Sequence, residues 1–176
     1  MAFFKKKKQN PPQKNPQPAG DGGAIHDIKV LLKMTRMKDI MSTKLISIHT
    51  DAPFREVPRK MLEFRIRHLP VVDKNNKLVG LMTQRDLYKI QPPRRLMDGT
   101  DFYDEEALNN ILLPHVMIKN PFAMHPDDSI GDALLKMVHD KYGCIPVVDR
   151  QGALCGIVTQ IDILKLAAQI YSNSSS

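Results

Sequence analysis

Gly80-Leu81-Met82-Thr83-Gln84-Arg85-Asp86 occurs a second time as Gly156-Ile157-Val158-Thr159-Gln160-Ile161-Asp162, 76 positions later. The same offset runs without a gap from Ile40/Val116 to Ile90/Leu166. It pairs Met41 with Met117, His49 with His125, Lys60-Met61 with Lys136-Met137 and Pro70-Val71-Val72-Asp73 with Pro146-Val147-Val148-Asp149. One register kept through apolar runs, turns and helical stretches marks an internal duplication. A duplication fixes the architecture before any single element is read.

Each copy reads strand, helix, strand, strand, helix, which makes the fold class α/β (α+β). In the first copy Leu45–Ile48 reads as a strand, and a helix from Pro53 carries Phe54, Val57, Met61 and Leu62 at helical spacing. Leu69–Val72 and Leu78–Met82 are strands joined by the Asp73-Lys74-Asn75-Asn76 turn, and Thr83 opens a second helix. In the second copy the elements are Phe122–Met124, Ser129–His139, Cys144–Val148, Leu154–Val158 and Thr159–Ile170. Pro58 falls inside the first helix, where an interior proline costs roughly 3 kcal/mol, so a kink or an irregular first turn is expected there.

Five segments follow. Residues 1–23 read as a disordered basic tail, with Phe3-Phe4, Lys5–Lys8 and a proline-rich run. Residues 24–90 hold the first repeat with a lead-in helix or strand, and 91–114 an acidic connector whose Asp104–Leu113 stretch reads as a capped helix. Residues 115–171 hold the second repeat, and 172–176 a frayed end. The connector acids are open to a solvated or an ion-binding reading. The tail is open to a solubilising role or to contact with an anionic membrane or RNA.

The chain has 176 residues and a formal charge of +7, with a pI of about 9.4. Much of that charge is in the tail, so no specific nucleic-acid surface is indicated. Cys144 and Cys155 form no secretory framework and read as buried, reduced thiols. No signal peptide and no apolar run of ~20 residues is seen, so a soluble cytoplasmic protein without a transmembrane segment is expected. No nucleophile–base pair, zinc constellation or Walker-type loop stands out, so no enzyme is expected.

The repeated Thr-x-x-Asp carries two physical readings. It is a capping box: the hydroxyl accepts from the third backbone N–H and the acid reaches back to the cap N–H. The same helix start exposes N–H groups and a positive dipole end, which suit a phosphate. A carboxylate one turn on suits the two hydroxyls of a ribose. Gly80 and Gly156 would let backbone approach closely just before that turn.

The motif set resembles the cystathionine-β-synthase (CBS) domain in tandem. The resemblance is carried by His68-Leu69-Pro70-Val71-Val72-Asp73 with Leu78–Leu87, and by Ile145–Asp149 with Leu154–Ile163. It implies two β-α-β-β-α repeats packed sheet to sheet about a pseudo-twofold axis, with two clefts between them. It implies AMP, ADP, ATP or S-adenosylmethionine as ligands, no tightly bound cofactor, and a homodimer. Outer helices bearing Leu134, Met137 and Val138 with Leu87 and Ile90 offer more apolar surface than one module can cover, so the dimer is expected through them. Thr159 and Asp162 then serve one cleft, joined by Arg67 and His68. Thr83 and Asp86 serve the other, with Arg85 nearby and Gly143 and Cys144 from the partner repeat. Thr43, Leu45 and Ile46 line one cleft, and Asn120, Phe122 and Ala123 the other. The function implied is a non-enzymatic, nucleotide-binding regulatory module that signals to an unknown protein partner, with no room for a catalytic domain. The alternative is an interaction module with vestigial clefts whose tail binds membrane or nucleic acid.

Overall fold

The computed structural model describes residues 22–173. In chain order its elements are α1 (Gly22–Met34), α2 (Met37–Ile40), β1 (Ile48–His49), α3 (Glu56–Glu63), β2 (His68–Val72), β3 (Leu78–Thr83) and α4 (Gln84–Ile90). Then come β4 (Arg94–Arg95), β5 (Asp101–Phe102), α5 (Glu105–Asn109), α6 (Leu113–Val116) and β6 (Ile118–Lys119). The second repeat supplies α7 (Ile130–His139), β7 (Cys144–Val148), β8 (Leu154–Thr159) and α8 (Gln160–Asn173). The tail reading for residues 1–21 lies outside the described residues; Gly22 and Gly23 open α1.

Turn chemistry explains the two hairpins. Asp73 Oδ1 accepts from the backbone N–H of Asn75 at 2.8 Å and of Lys77 at 2.9 Å, the local bonding that makes Asp a turn former. Asp149 does the same for Gln151 and Ala153. The left-handed position is Asn76 in one turn (φ 60°) and Gly152 in the other (φ 83°). β2 pairs antiparallel with β3, and β7 with β8, each with one register irregularity at the same place, Val71/Val72 and Val147/Val148.

Pro58 acts as expected. Glu56 and Val57 donate to Pro53 and Phe54 in a three-residue pattern, and α3 starts only at Glu56. Pro58 thereby falls in the first turn, where its missing N–H needs no partner. In the second repeat Ser129 caps α7, accepting from Asp132 N–H at 3.1 Å, and the helix starts two positions earlier in register.

The lead-in segments cross over. Ser42 exchanges two backbone hydrogen bonds with Ile157 of β8, in the other repeat. β6, which leads into the second repeat, pairs with β3 of the first. The helices cross as well: Met37 of α2 is buried in the second core with Ile130 and Ile145, whereas Leu108 and Leu113 are buried in the first with Phe54 and Leu69. α2 and α6 lie 76 positions apart, so the duplication reaches back into the end of the connector. At the other end the two turns bond directly, Leu78 N–H to Gly152 O and Leu154 N–H to Asn76 O. The result is two β-α-β-β-α repeats about a pseudo-twofold axis.

Four expectations change in detail. The first strands shrink: β1 begins at Ile48, and only Met124 makes the matching parallel bridge, to Val147. Residues 43–47 span from one hairpin at Ser42 to the other at Ile48, so no single strand faces them. The connector acids meet arginines, Asp101 with Arg95 at 2.7 Å and Asp104 with Arg94 at 3.5 Å. Leu87 and Met137 are 1% and 4% exposed and belong to the cores, so neither offers outer surface. The exposed large apolar residues on α7 and α8 are Leu135, Val138, Ile161, Leu164 and Tyr171. Cys155 is only half-buried, its thiol donating to Val147 O at 3.4 Å.

Candidate functional site

A cleft of about 580 Å³ lies between the repeats, lined from one side by Arg65, Ile66, Arg67 and His68 and from the other by Ile157, Thr159, Gln160, Asp162 and Lys165. The crossed lead-in closes it with Ser42, Lys44 and Ile46. These three are every second residue of the lead-in segment. Thr43 and Leu45 do not line the cleft. Arg67, His68, Ile46, Thr159 and Asp162 are thus brought together as the sequence implies, and Lys44 and Lys165 join them.

Thr159 and Asp162 begin α8. Asp162 Oδ2 accepts from both the backbone N–H and the hydroxyl of Thr159, at 2.9 and 2.7 Å. Oδ1 is left toward Lys165 Nζ, 3.7 Å away. Lys44, Arg65 and Arg67 make no ion pair among the described residues. Arg65 holds φ 51° directly after α3, as its counterpart Lys141 does (φ 59°) after α7. Glycine is the usual residue at that position; both repeats place a cation there instead. His68 lies over the Gly143 backbone, and a Cβ at Gly143 would stand 2.6 Å from its Nε2. Burial, with the charge of Arg67 adding to it, lowers the His68 pKa below its usual value.

Across the pseudo-twofold axis the same motif is bonded differently. Asp86 N–H donates to Thr83 Oγ1 at 3.2 Å, and the Thr83 hydroxyl donates to Asp86 Oδ2 at 2.6 Å. Each copy therefore realises a different half of the capping box. Lys89 Nζ lies 3.0 Å from Asp86 Oδ1. Burial alone would raise the Asp86 pKa, but the bonds from Thr83 and Lys89 outweigh it and hold it below the usual range. Phe122 and Tyr142 stand where the first cleft has Ile46 and Ile66. Their rings stack at 5.6 Å, and Lys136 Nζ lies 5.2 Å from the Phe122 centroid. Asn120, at φ 47°, donates its N–H to Val79 O. Ala123 is half-buried and Arg85 exposed. Cys144, which replaces His68 here, is buried, and its thiol is pushed up to about 12.

The glycines have another role than close backbone approach. A Cβ on Gly156 would overlap the Met41 side chain, and one on Gly80 that of Met117. Each glycine makes the slot for a methionine of the crossed lead-in. Lys165 was legible through its place one turn after Asp162, whereas Lys44 left no signal in the sequence.

The CBS domain family model matches residues 37–92 and 114–169. The chain belongs to the CBS domain family. Its pair is 29% identical to the CBS domain pair of protein MJ0100, solved in complex with 5′-methylthioadenosine and S-adenosyl-L-methionine. That similarity covers 77% of this chain and 98% of the other with a TM-score of 0.63. A CBS domain-containing protein of Dictyostelium discoideum is 29% identical over 76% of this chain and 92% of its own length. The L-aspartate semialdehyde sulfurtransferase of Methanocaldococcus jannaschii is 30% identical over 76% of this chain. The chain spans 23–27% of the length of that enzyme and of the homoserine O-acetyltransferases it also matches. No helix among the described residues is long and apolar enough to cross a membrane.

Proposed function

We propose that this CBS pair is a non-enzymatic regulatory module that binds an adenosine nucleotide in the Asp162 cleft and passes that state to a partner protein. The observation that carries the reading is the composition of one cleft. It holds an acid at a helix start from one repeat and, from the other, cations that make no ion pair among the described residues. Ile46, Ile66 and Ile157 offer an apolar wall for the base. Asp162 Oδ1, which takes no bond from Thr159, is the acceptor for ribose hydroxyls. Lys44, Arg65 and Arg67 take the phosphate. A ligand held in this way ties α8 to β2, so occupancy changes how firmly the repeats hold each other. The adenosine compounds bound by the MJ0100 pair support the base and ribose assignment. AMP, ADP and ATP fit the charge better than the cationic S-adenosylmethionine. A cytoplasmic setting and a homodimer through the exposed faces of α7 and α8 complete the proposal.

Calorimetry with AMP on Asp162→Asn and Asp86→Asn tests it. An amide keeps one acceptor oxygen and presents a donor where none is wanted. Loss of a charged hydrogen-bond partner costs roughly 1.5–3 kcal/mol, about ten- to a hundred-fold in affinity. Asp162→Asn should show that loss while costing only about 1 kcal/mol of stability as a cap. Asp86→Asn should lose less, because Lys89 already neutralises Asp86 and on that side Cys144 stands at the position that His68 holds in the other repeat. Wild-type binding by both variants would remove the ribose role.

A further inference from the structure

His68 differs in kind from the other basic groups of the Asp162 cleft. Lys44, Arg65, Arg67 and Lys165 are lysines and arginines, whereas His68 is an imidazole, the side chain that changes its charge near neutral pH. Neither His68 ring nitrogen has a hydrogen-bond partner among the described residues, and neither is sealed away from the cleft. The ring is fixed in place nonetheless. It sits on the bare backbone of Gly143, which only a residue without a side chain leaves open to it. On its own hairpin it stands opposite Thr83.

The charged groups that share its cleft come from every wall. Arg67 adjoins it on β2, Arg65 follows α3, Lys44 comes from the crossed lead-in, and Lys165 and Asp162 come from α8. β7 and β8 contribute only Gly143, Ile157 and Thr159 on their side. The cleft is thus rich in cations with one carboxylate, and that carboxylate is engaged by Thr159. In the empty cleft this surrounding disfavours a further positive charge. A phosphate dianion reverses the balance, because it compensates the same cations and offers imidazolium an acceptor.

We propose that His68 sets the preference of this cleft for a phosphorylated adenosine over an uncharged one, by taking up a proton as the phosphate enters. The proposal rests on the nucleotide reading of the cleft given above. Burial and Arg67 keep His68 neutral near neutral pH in the free protein, so the proton must arrive with the ligand. By linkage, affinity for the phosphate ligand rises as pH falls, by up to about tenfold per pH unit for one proton taken up. The useful window is roughly pH 8 to 6.5, above the second ionisation of the phosphate itself near ~6.

The test is titration calorimetry on the full chain with AMP and with 5′-methylthioadenosine, an uncharged adenosine thioether. It is run at about pH 8 and about pH 6.5, each in two buffers of different ionisation heat. The expected result for AMP is binding several-fold tighter at the lower pH. Its observed heat should depend on the buffer, with proton uptake approaching one per ligand. The thioether should show neither effect. His68→Gln should abolish the AMP pH dependence and weaken AMP about tenfold at the lower pH, leaving the thioether unchanged. The uptake measurement needs only the wild-type chain, so a variant that fails to fold does not blunt the test. AMP binding indifferent to pH and buffer overturns the proton uptake and leaves the cleft reading standing. An equal pH slope for the thioether overturns it too. No binding of either ligand overturns both.

Discussion

Replacing Gly156 by Ala puts a methyl group where the Met41 side chain lies. The new Cβ would stand 2.9 Å from Met41 Cγ and 3.2 Å from its Cβ, and closer still to the sulfur. Comfortable heavy-atom contact needs about 3.5–4.0 Å. Gly156 does not hold a left-handed φ, so the backbone accepts alanine and the cost is steric. Met41 must leave its slot beside the second core. Overpacking of this kind costs about 1–3 kcal/mol, and the stiffer unfolded chain returns only about 0.4–1 kcal/mol. A net loss of about 1–2 kcal/mol lowers Tm by roughly 2–8 °C for a chain of this size. The decisive measurement is a double-mutant cycle by urea unfolding. In a Met41→Ala background the slot is vacant, so Gly156→Ala should become neutral or stabilising, a coupling of about 1 kcal/mol or more. Gly80→Ala with Met117→Ala should behave alike. Additive effects, or a Gly156→Ala protein that unfolds with the wild type, would refute the slot argument. Unchanged AMP affinity in the variant would separate this role from ligand contact.

The connector offers a sharp contrast: Leu108→Ala, in a short helix of an acidic connector, should cost about 2–5 kcal/mol because the side chain is fully buried in the first core; urea unfolding measures it. The ligand-free protein should also respond to acid through His68. Its folded pKa is lowered, so below about 6.5 the unfolded chain binds a proton that the folded chain refuses. That part of the stability is complete above about pH 6.5 and is lost as pH falls toward the folded value. The melting temperature of wild type should therefore fall relative to that of His68→Gln between about pH 8 and 5.5; parallel curves would contradict it.

Local chemistry was readable from the chain. Asp73 and Asp149 announce their turns, Ser129 and Thr83 their helices, and Pro58 its late helix start. The meeting of Arg67 and His68 with Asp162 followed from the resemblance. Packing between distant segments was not readable. An offset tells which residues are equivalent, but not which core a segment enters, so the crossing of Met37, Leu108 and Leu113 left no local trace. Lys44 was hidden for the same reason, since its cleft is built by three separate parts of the chain. The two Thr-Gln-x-Asp copies are nearly identical in sequence, yet Asp162 reaches back to the Thr159 N–H and Asp86 bonds Lys89 instead. That difference depends on side-chain placement at each helix start, which the motif does not encode.

The crossed lead-ins also impose a timetable on the ribosome's product. Ser42 emerges early, but Ile157, which holds it, emerges near the end of the described chain. The first core has all its parts once Leu113 and β6 are made. Met37 and Ser42 must then wait, with their apolar neighbours uncovered, for β7 and β8. At roughly 5–20 residues per second that interval lasts seconds. The segment made first is seated last, and the second repeat closes by capturing it.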